Sequence, residues 1–161
     1  MGRIYSVTHT ATITAAGGDA DLLEILPADD KPVRLRGLLL SQISEVGDAA
    51  EEGLRIDVIR LPGTVTSGSG GLTPTPIPPD SADAAAGAAI ETGNTTIATT
   101  TGTAVTLATF GWNVRNSPFD FWWPDDRFCP KVKQGEALVV RMQTTPGDDY
   151  SGAFTFWFEE E

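Results

Sequence analysis

Residues 3–14 read RIYSVTHTATIT. Tyr5, Val7, His9, Ala11 and Ile13 fall on one side of this stretch, and Ser6, Thr8, Thr10, Thr12 and Thr14 on the other. A repeat of two is the geometry of a strand with one face buried and one wet, and β-branched Thr suits the pleated surface. The pattern therefore predicts a strand. Gly17-Gly18 ends it, and the same grammar recurs down the chain.

Leu22, Leu23, Ile25 and Leu26 form a second apolar run, stopped by Pro27 and the turn Asp29-Asp30-Lys31-Pro32. In residues 33–43, Val33, Leu35, Leu39 and Ile43 share a phase, and Arg34 and Arg36 face the other way with Leu38 and Leu40. Gly37 stands where the character changes, which predicts a bulge or bend. Leu54, Ile56 and Val58 alternate before Pro62. Gly93-Asn94 between Ile90 and Ile97 reads as a turn or hairpin signal. Later runs carry Phe110, Trp112 and Val114, then Leu138, Val140 and Met142, then Phe154, Phe156 and Phe158. The expected core is Val33, Leu35, Leu39, Leu54, Ile56, Val58, Leu138, Val140, Phe154 and Phe156. The polar stretch from Glu45 to Gly53 reads as a loop or a single helical turn, and Ser81 to Ala86 as a helix of two turns at most.

Eight or nine short strands with almost no helix predict one all-β domain over residues 1–161. An antiparallel β-sandwich of the jelly-roll kind fits the long excursions best. The alternative is an immunoglobulin-like sandwich, for which the chain is oversized. Residues 62–89, PGTVTSGSGGLTPTPIPPDSADAAAGAA, interrupt the pattern with Pro, Gly, Ser, Thr and Ala. So long a connection without strand or helix character is functional or disordered, and it reads as an extended loop or arm.

The chain carries a net charge of −11. Nucleic acid and anionic lipid bind through Lys and Arg, so neither is an expected partner. No membrane span is expected, because no stretch approaches 18 uninterrupted apolar residues. With one cysteine, Cys129, no intramolecular disulfide can form. Cys129 reads as a small buried hydrophobe. With no leader pattern at the N-terminus, the chain reads as a soluble protein made in a cytoplasm.

Chemistry has few footholds. Metal-dependent jelly-roll enzymes use several His ligands, and this sequence has only His9, mid-strand among Thr residues. Asp19/Asp21, Asp29-Asp30, Asp125-Asp126 and Asp148-Asp149 sit where turns prefer Asp, and none completes a calcium-loop pattern. Gly68-Ser69-Gly70-Gly71 lacks the Lys-Ser/Thr end of a phosphate loop. The expectation is no enzyme, no cofactor and no metal. The aromatic group Trp112, Phe119, Phe121, Trp122 and Trp123, with Arg115 and Arg127 nearby, fits a protein interface, core packing or stacking on sugar rings. Adjacent Trp122 and Trp123 must point to opposite faces of a strand. Thr73, Pro74, Pro76 and Ile77 of the long loop complete the set of candidate interface residues.

Several stretches carry a resemblance: Pro32-Val-Arg-Leu-Arg-Gly-Leu-Leu-Leu, Glu51-Glu52-Gly-Leu-Arg, Thr66-Ser-Gly-Ser-Gly-Gly with Thr73-Pro-Thr-Pro, Asp83-Ala-Ala-Ala-Gly, Asn94-Thr-Thr and Trp112-Asn-Val-Arg. Together they resemble small β-sandwich structural proteins of tailed bacteriophages, of the head decoration (cement) type. The resemblance implies a virion protein on the capsid exterior, bound to the major capsid protein of the same virion. It also implies self-association, with a trimer favoured over a dimer because of three-fold lattice positions. The alternative it leaves open is a carbohydrate- or receptor-binding module of a phage tail or fibre.

Overall fold

The alternation of residues 3–14 becomes the first of twelve strands in the computed structural model, which describes residues 2–15, 17–44, 53–116 and 118–161. In chain order these are β1 (Arg3–Ile13), β2 (Ala20–Leu26), β3 (Val33–Gln42), β4 (Gly53–Leu61), β5 (Val65–Thr66) and β6 (Ala89–Glu91). There follow β7 (Thr99–Thr100), β8 (Val105–Asn113), β9 (Phe119–Trp122), β10 (Lys131–Val132), β11 (Ala137–Met142) and β12 (Tyr150–Glu160). No helix occurs among the described residues. The turn or loop expected at Glu45 to Gly53 lies outside them up to residue 52.

Two antiparallel sheets pack face to face. The first runs β1-β12-β3, with β10 and β9 end to end along the far edge of β3, at Val33–Arg34 and Gly37–Leu40; the second runs β6-β2-β11-β4-β8. The pairs β1·β12, β2·β11, β3·β9 and β10, and β4·β8 nest inside one another. The chain is thus one long antiparallel ribbon, rolled until β12 meets β3 and β11 meets β4. That is a jelly roll. An immunoglobulin sandwich keeps consecutive strands such as A and B in one sheet, whereas here β1 and β2, and likewise β3 and β4, lie in opposite sheets.

The main core lies between the sheets and holds Tyr5, Val7, Val33, Leu35, Leu54, Ile56, Val58, Leu138, Val140, Phe154, Phe156 and Phe158 among others. Leu39 does not belong to it. The register between β3 and β12 shifts between Trp157, opposite Gly37, and Phe158, opposite Leu35, so Arg36 is unmatched. One extra residue turns every later side chain over. Leu38 and Leu40 therefore enter the core, and Leu39 is left half-buried on the outer face.

A second, smaller apolar cluster forms on the opposite side of the second sheet. Val139 and Ala137 of β11 join Ile59, Leu61 and Ala98 there, whereas Leu138 and Val140 face the main core. What covers this outer face is the 62–104 connection between β4 and β8. Its β5 pairs with β7, and further bridges join Ser69 to Thr96 and Leu72 to Thr92. It then crosses to the first sheet, where Ser6 and Ile77 exchange both backbone hydrogen bonds, at 2.8 and 2.9 Å. The hydroxyl of Tyr5 donates to the Ala84 carbonyl at 2.9 Å, and the Gly87 and Ala88 amides donate to the Glu160 carboxylate. The segment is irregular, as its composition predicts, but it is a strap docked on the sandwich and not a free arm. Part of its work is to cover the edge of β1, which would otherwise offer unpaired backbone.

Two local expectations fail on the strap. Residues 81–86 form no helix: the Asp80 side chain accepts from the Ala82 amide and its carbonyl from the Asp83 amide, closing a turn. Gly93-Asn94 joins no hairpin. Gly93 takes φ 67°, and Asn94 bridges to Asp21 of β2 instead.

Candidate docking face

The outer face of the first sheet carries the aromatic residue that the sequence offers to a partner. Trp157 of β12 and Trp122 of β9 lie on either side of Gly37, each opposite it in the ladder. With no side chain at Gly37, the two indoles stack across the gap, ring centroids 4.6 Å apart at 30°. A Cβ at residue 37 would stand 2.7 Å from two ring carbons of Trp122. Trp122 is nonetheless 50% exposed.

Charged groups lie close to this pair. Arg36, on the outer face with Arg34, meets Asp126 and lies 3.5 Å from Glu159. Arg34 reaches Asp126 at 3.2 Å and also meets Glu161, which Lys131 meets in turn. The hydrogen bond from Arg36 holds the Asp126 carboxyl below its usual range, and the bond from Lys131 does the same for Glu161. Asp125 is likewise lowered by hydrogen bonds from the Arg127 side chain and amide. Cys129 is buried beside Arg36, and burial pushes its thiol up. Phe128, just before it, is exposed. An aromatic centre with polar groups beside it is the composition of a protein-docking surface.

The remaining candidates scatter. Trp112 is 2% exposed and packs edge-on against Tyr150 and Phe154, so it is a core residue and offers nothing to a partner. Phe119, Phe121 and Trp123 are half-buried and gather around Phe110, closing the side of the sandwich where β8 and β9 lie. Trp122 and Trp123 thus point to opposite faces. Arg115 is exposed in the turn after β8, and Arg127 is exposed and held by Asp125. On the strap, Thr73 and Ile77 are exposed, Pro74 is half-buried and Pro76 is buried. Ile77 bridges the outer edge of β1, four strand spacings or about 19 Å from β9, and Thr73, Pro74 and Pro76 precede it along the strap. The structure does not bring them together with Trp122.

Trp157, Arg34 and Arg36 complete the face and were absent from the expected set. Their signal is alternation: Phe154, Phe156 and Phe158 point inward, which obliges Trp157 to point out.

His9 is buried on the inner face, tilted against Phe154 at 5.2 Å and stacked on Phe156 at 6.3 Å, and neither ring nitrogen has a hydrogen-bond partner among the described residues. Burial lowers its pKa from 6.5 to about 4. The Asp pairs separate: Asp21 is buried against Arg141, Asp149 accepts from the Ala15 amide, and Asp29-Asp30 sit exposed in their turn. Among the described residues no three His, Cys, Asp or Glu side chains gather to hold a metal ion, and no helix is long and apolar enough to cross a membrane.

No protein-family model matches the chain, and no curated protein does. Among solved structures it is similar to a chain in the structure of infectious bursal disease virus, Gx strain, at 13% identity and a TM-score of 0.19. The match covers 99% of this chain and 42% of the viral one, so this chain spans less than half of that length. A likeness this faint carries nothing about function.

Proposed function

We propose that the chain is a non-catalytic structural protein of a tailed-phage virion that binds the outer surface of the head through its major capsid protein and stabilises the shell. The observation that carries this reading is the Trp122–Trp157 stack on the outer face of the first sheet, pinned over Gly37 with charged residues beside it. Aromatic anchors already held in place lose little freedom on docking. A lattice of identical sites multiplies weak single contacts, and a protein that prefers the assembled shell stabilises it by mass action. The sequence resemblance supports the same setting, and self-association, trimer before dimer, belongs to it.

Stripping the protein from heads lowers their rupture temperature, and adding it back restores it. Trp122→Ala reduces occupancy on the head in electron micrographs. The half-exposed Trp122 ring also favours a second reading, sugar stacking by a tail or fibre module. Copies found only at the tail tip, with glycan binding lost in Trp122→Ala, would replace the first reading by the second.

A further inference from the structure

The strap crosses to β1, on one side of the sandwich, and leaves the far edge of β8 bare. β8 spans nine residues and, among the described residues, pairs only with β4. Among the described residues its other edge has no ladder partner; its one further backbone bond joins the Asn113 carbonyl to the Asn116 amide. Edge strands of this length are normally blunted by charge, proline or a covering segment. Residues 92–114, which contain β8, include no Asp, Glu, Lys, Arg or Pro. The one blunting device present is a bulge: Ala108 lies opposite Val58 and Thr106 opposite Ile59, so Leu107 is unmatched. Val105 and Leu107 are 37% and 38% exposed on this strand, which adds apolar surface to the open backbone.

We infer that β8 is a strand-addition site whose occupant is β8 of a second copy of this chain, paired antiparallel about a two-fold axis. Charge decides the occupant. Two molecules of net charge −11 repel nearly everywhere, and a neutral edge is where they can approach without like charges meeting. A basic partner would gain nothing from a strand with no acidic side chain. The contact is isologous and joins two five-stranded sheets into one of ten, so the assembly it closes is a dimer. The inference stands apart from the virion reading: it rests on the edge alone, needs no capsid, and makes the assembly in solution a dimer where the sequence resemblance implies a trimer on three-fold lattice positions.

Sedimentation equilibrium of the full chain over a concentration series tests it, together with amide exchange read by mass spectrometry. The expected result is a concentration-dependent dimer in which amides of residues 105–113 gain protection as the dimer forms. Leu107→Lys, with its fold checked by circular dichroism, weakens the dimer at least tenfold, since an edge lysine must be desolvated on pairing. A monomer at the highest attainable concentration overturns the inference. So does a dimer whose protection maps to other strands, or protection of β8 only when another protein is added. If Leu107→Lys fails to fold, the exchange map of the unaltered chain decides alone.

Discussion

The carboxylate of Asp21 grips the guanidinium of Arg141 on the strapped face of the second sheet, Nε to Oδ1 at 2.5 Å and Nη2 to Oδ2 at 3.1 Å. Ala98 of the strap joins both partners: its amide donates to Asp21 at 2.7 Å and its carbonyl accepts from Arg141 at 2.8 Å. Removing one charge leaves the other buried and alone, which costs about 3–5 kcal/mol. Asp21→Ala or Arg141→Ala is therefore expected to lower unfolding stability by that amount in denaturant titrations. Asp21→Leu with Arg141→Met should recover most of the loss. A double variant as unstable as the single ones would show that the pair contributes more than mutual charge satisfaction.

His9 sets an acid limit. Its folded pKa of about 4 lies below the ordinary 6.5, so the unfolded chain binds the proton first. The stability that neutral His9 allows is present above pH 6.5 and is lost as pH falls toward 4, about 3 kcal/mol in all. In His9→Leu that slope should disappear from the pH dependence of unfolding. An unchanged slope would mean that the imidazole reaches solvent.

Glu24 has the opposite sign. Burial raises its carboxyl pKa, although the Gly68 amide and Ser67 hydroxyl of the strap donate to it and pull the other way. A raised carboxyl pKa favours the folded state below the unfolded value of 4.5, and that advantage fades as pH rises through the folded value. Relative to Glu24→Gln, the unaltered protein should therefore lose stability as pH climbs above 4.5. A pH-independent difference between the two would refute the burial argument. Deleting residues 66–79 removes both strap donors and the Ser6–Ile77 pair, so the shortened chain should melt well below the full one. Equal melting temperatures would return the strap to the status of a dispensable loop.

Leu38 and Leu39 test the bulge. Leu38→Ala removes a core side chain and is expected to cost 2–5 kcal/mol, and Leu39→Ala clearly less. The reverse order would mean that the strand keeps one phase throughout.

Gly37→Ala should displace Trp122 and abolish the coupled indole signal in circular dichroism, as Trp122→Ala does. A persisting couplet would show that the stack does not need the glycine.

Much of this architecture was legible because strands write their faces into the sequence. The Thr row of residues 6–14, the inward Phe residues of β12 and the character change at Gly37 all said what they became. The direction of the phase change at Gly37 was not readable, since a bulge is set by the partner strand, here at Trp157 and Phe158. The docking of residues 62–104 left no trace, because its anchors are largely backbone amides and carbonyls, as at Ser6–Ile77, Gly68 and Gly87. At the candidate face, Trp122 could be found from its neighbour Trp123, whereas Trp157 needed the alternation of its own strand to be followed outward.

The nested ribbon also dictates how the chain must find its shape. Partners in β1 and β12, such as Thr8 and Thr155, are 147 residues apart, and even the innermost pair, β4 and β8, must first close the 62–104 excursion. Long closures lose entropy before any contact rewards them, so folding belongs at the slow, millisecond-to-second end of the range. While it proceeds, β8, uncharged and with no ladder partner on its outer edge among the described residues, is open to pairing with the wrong chain. Crowded synthesis therefore puts aggregation in direct competition with the final closure of β1 on β12.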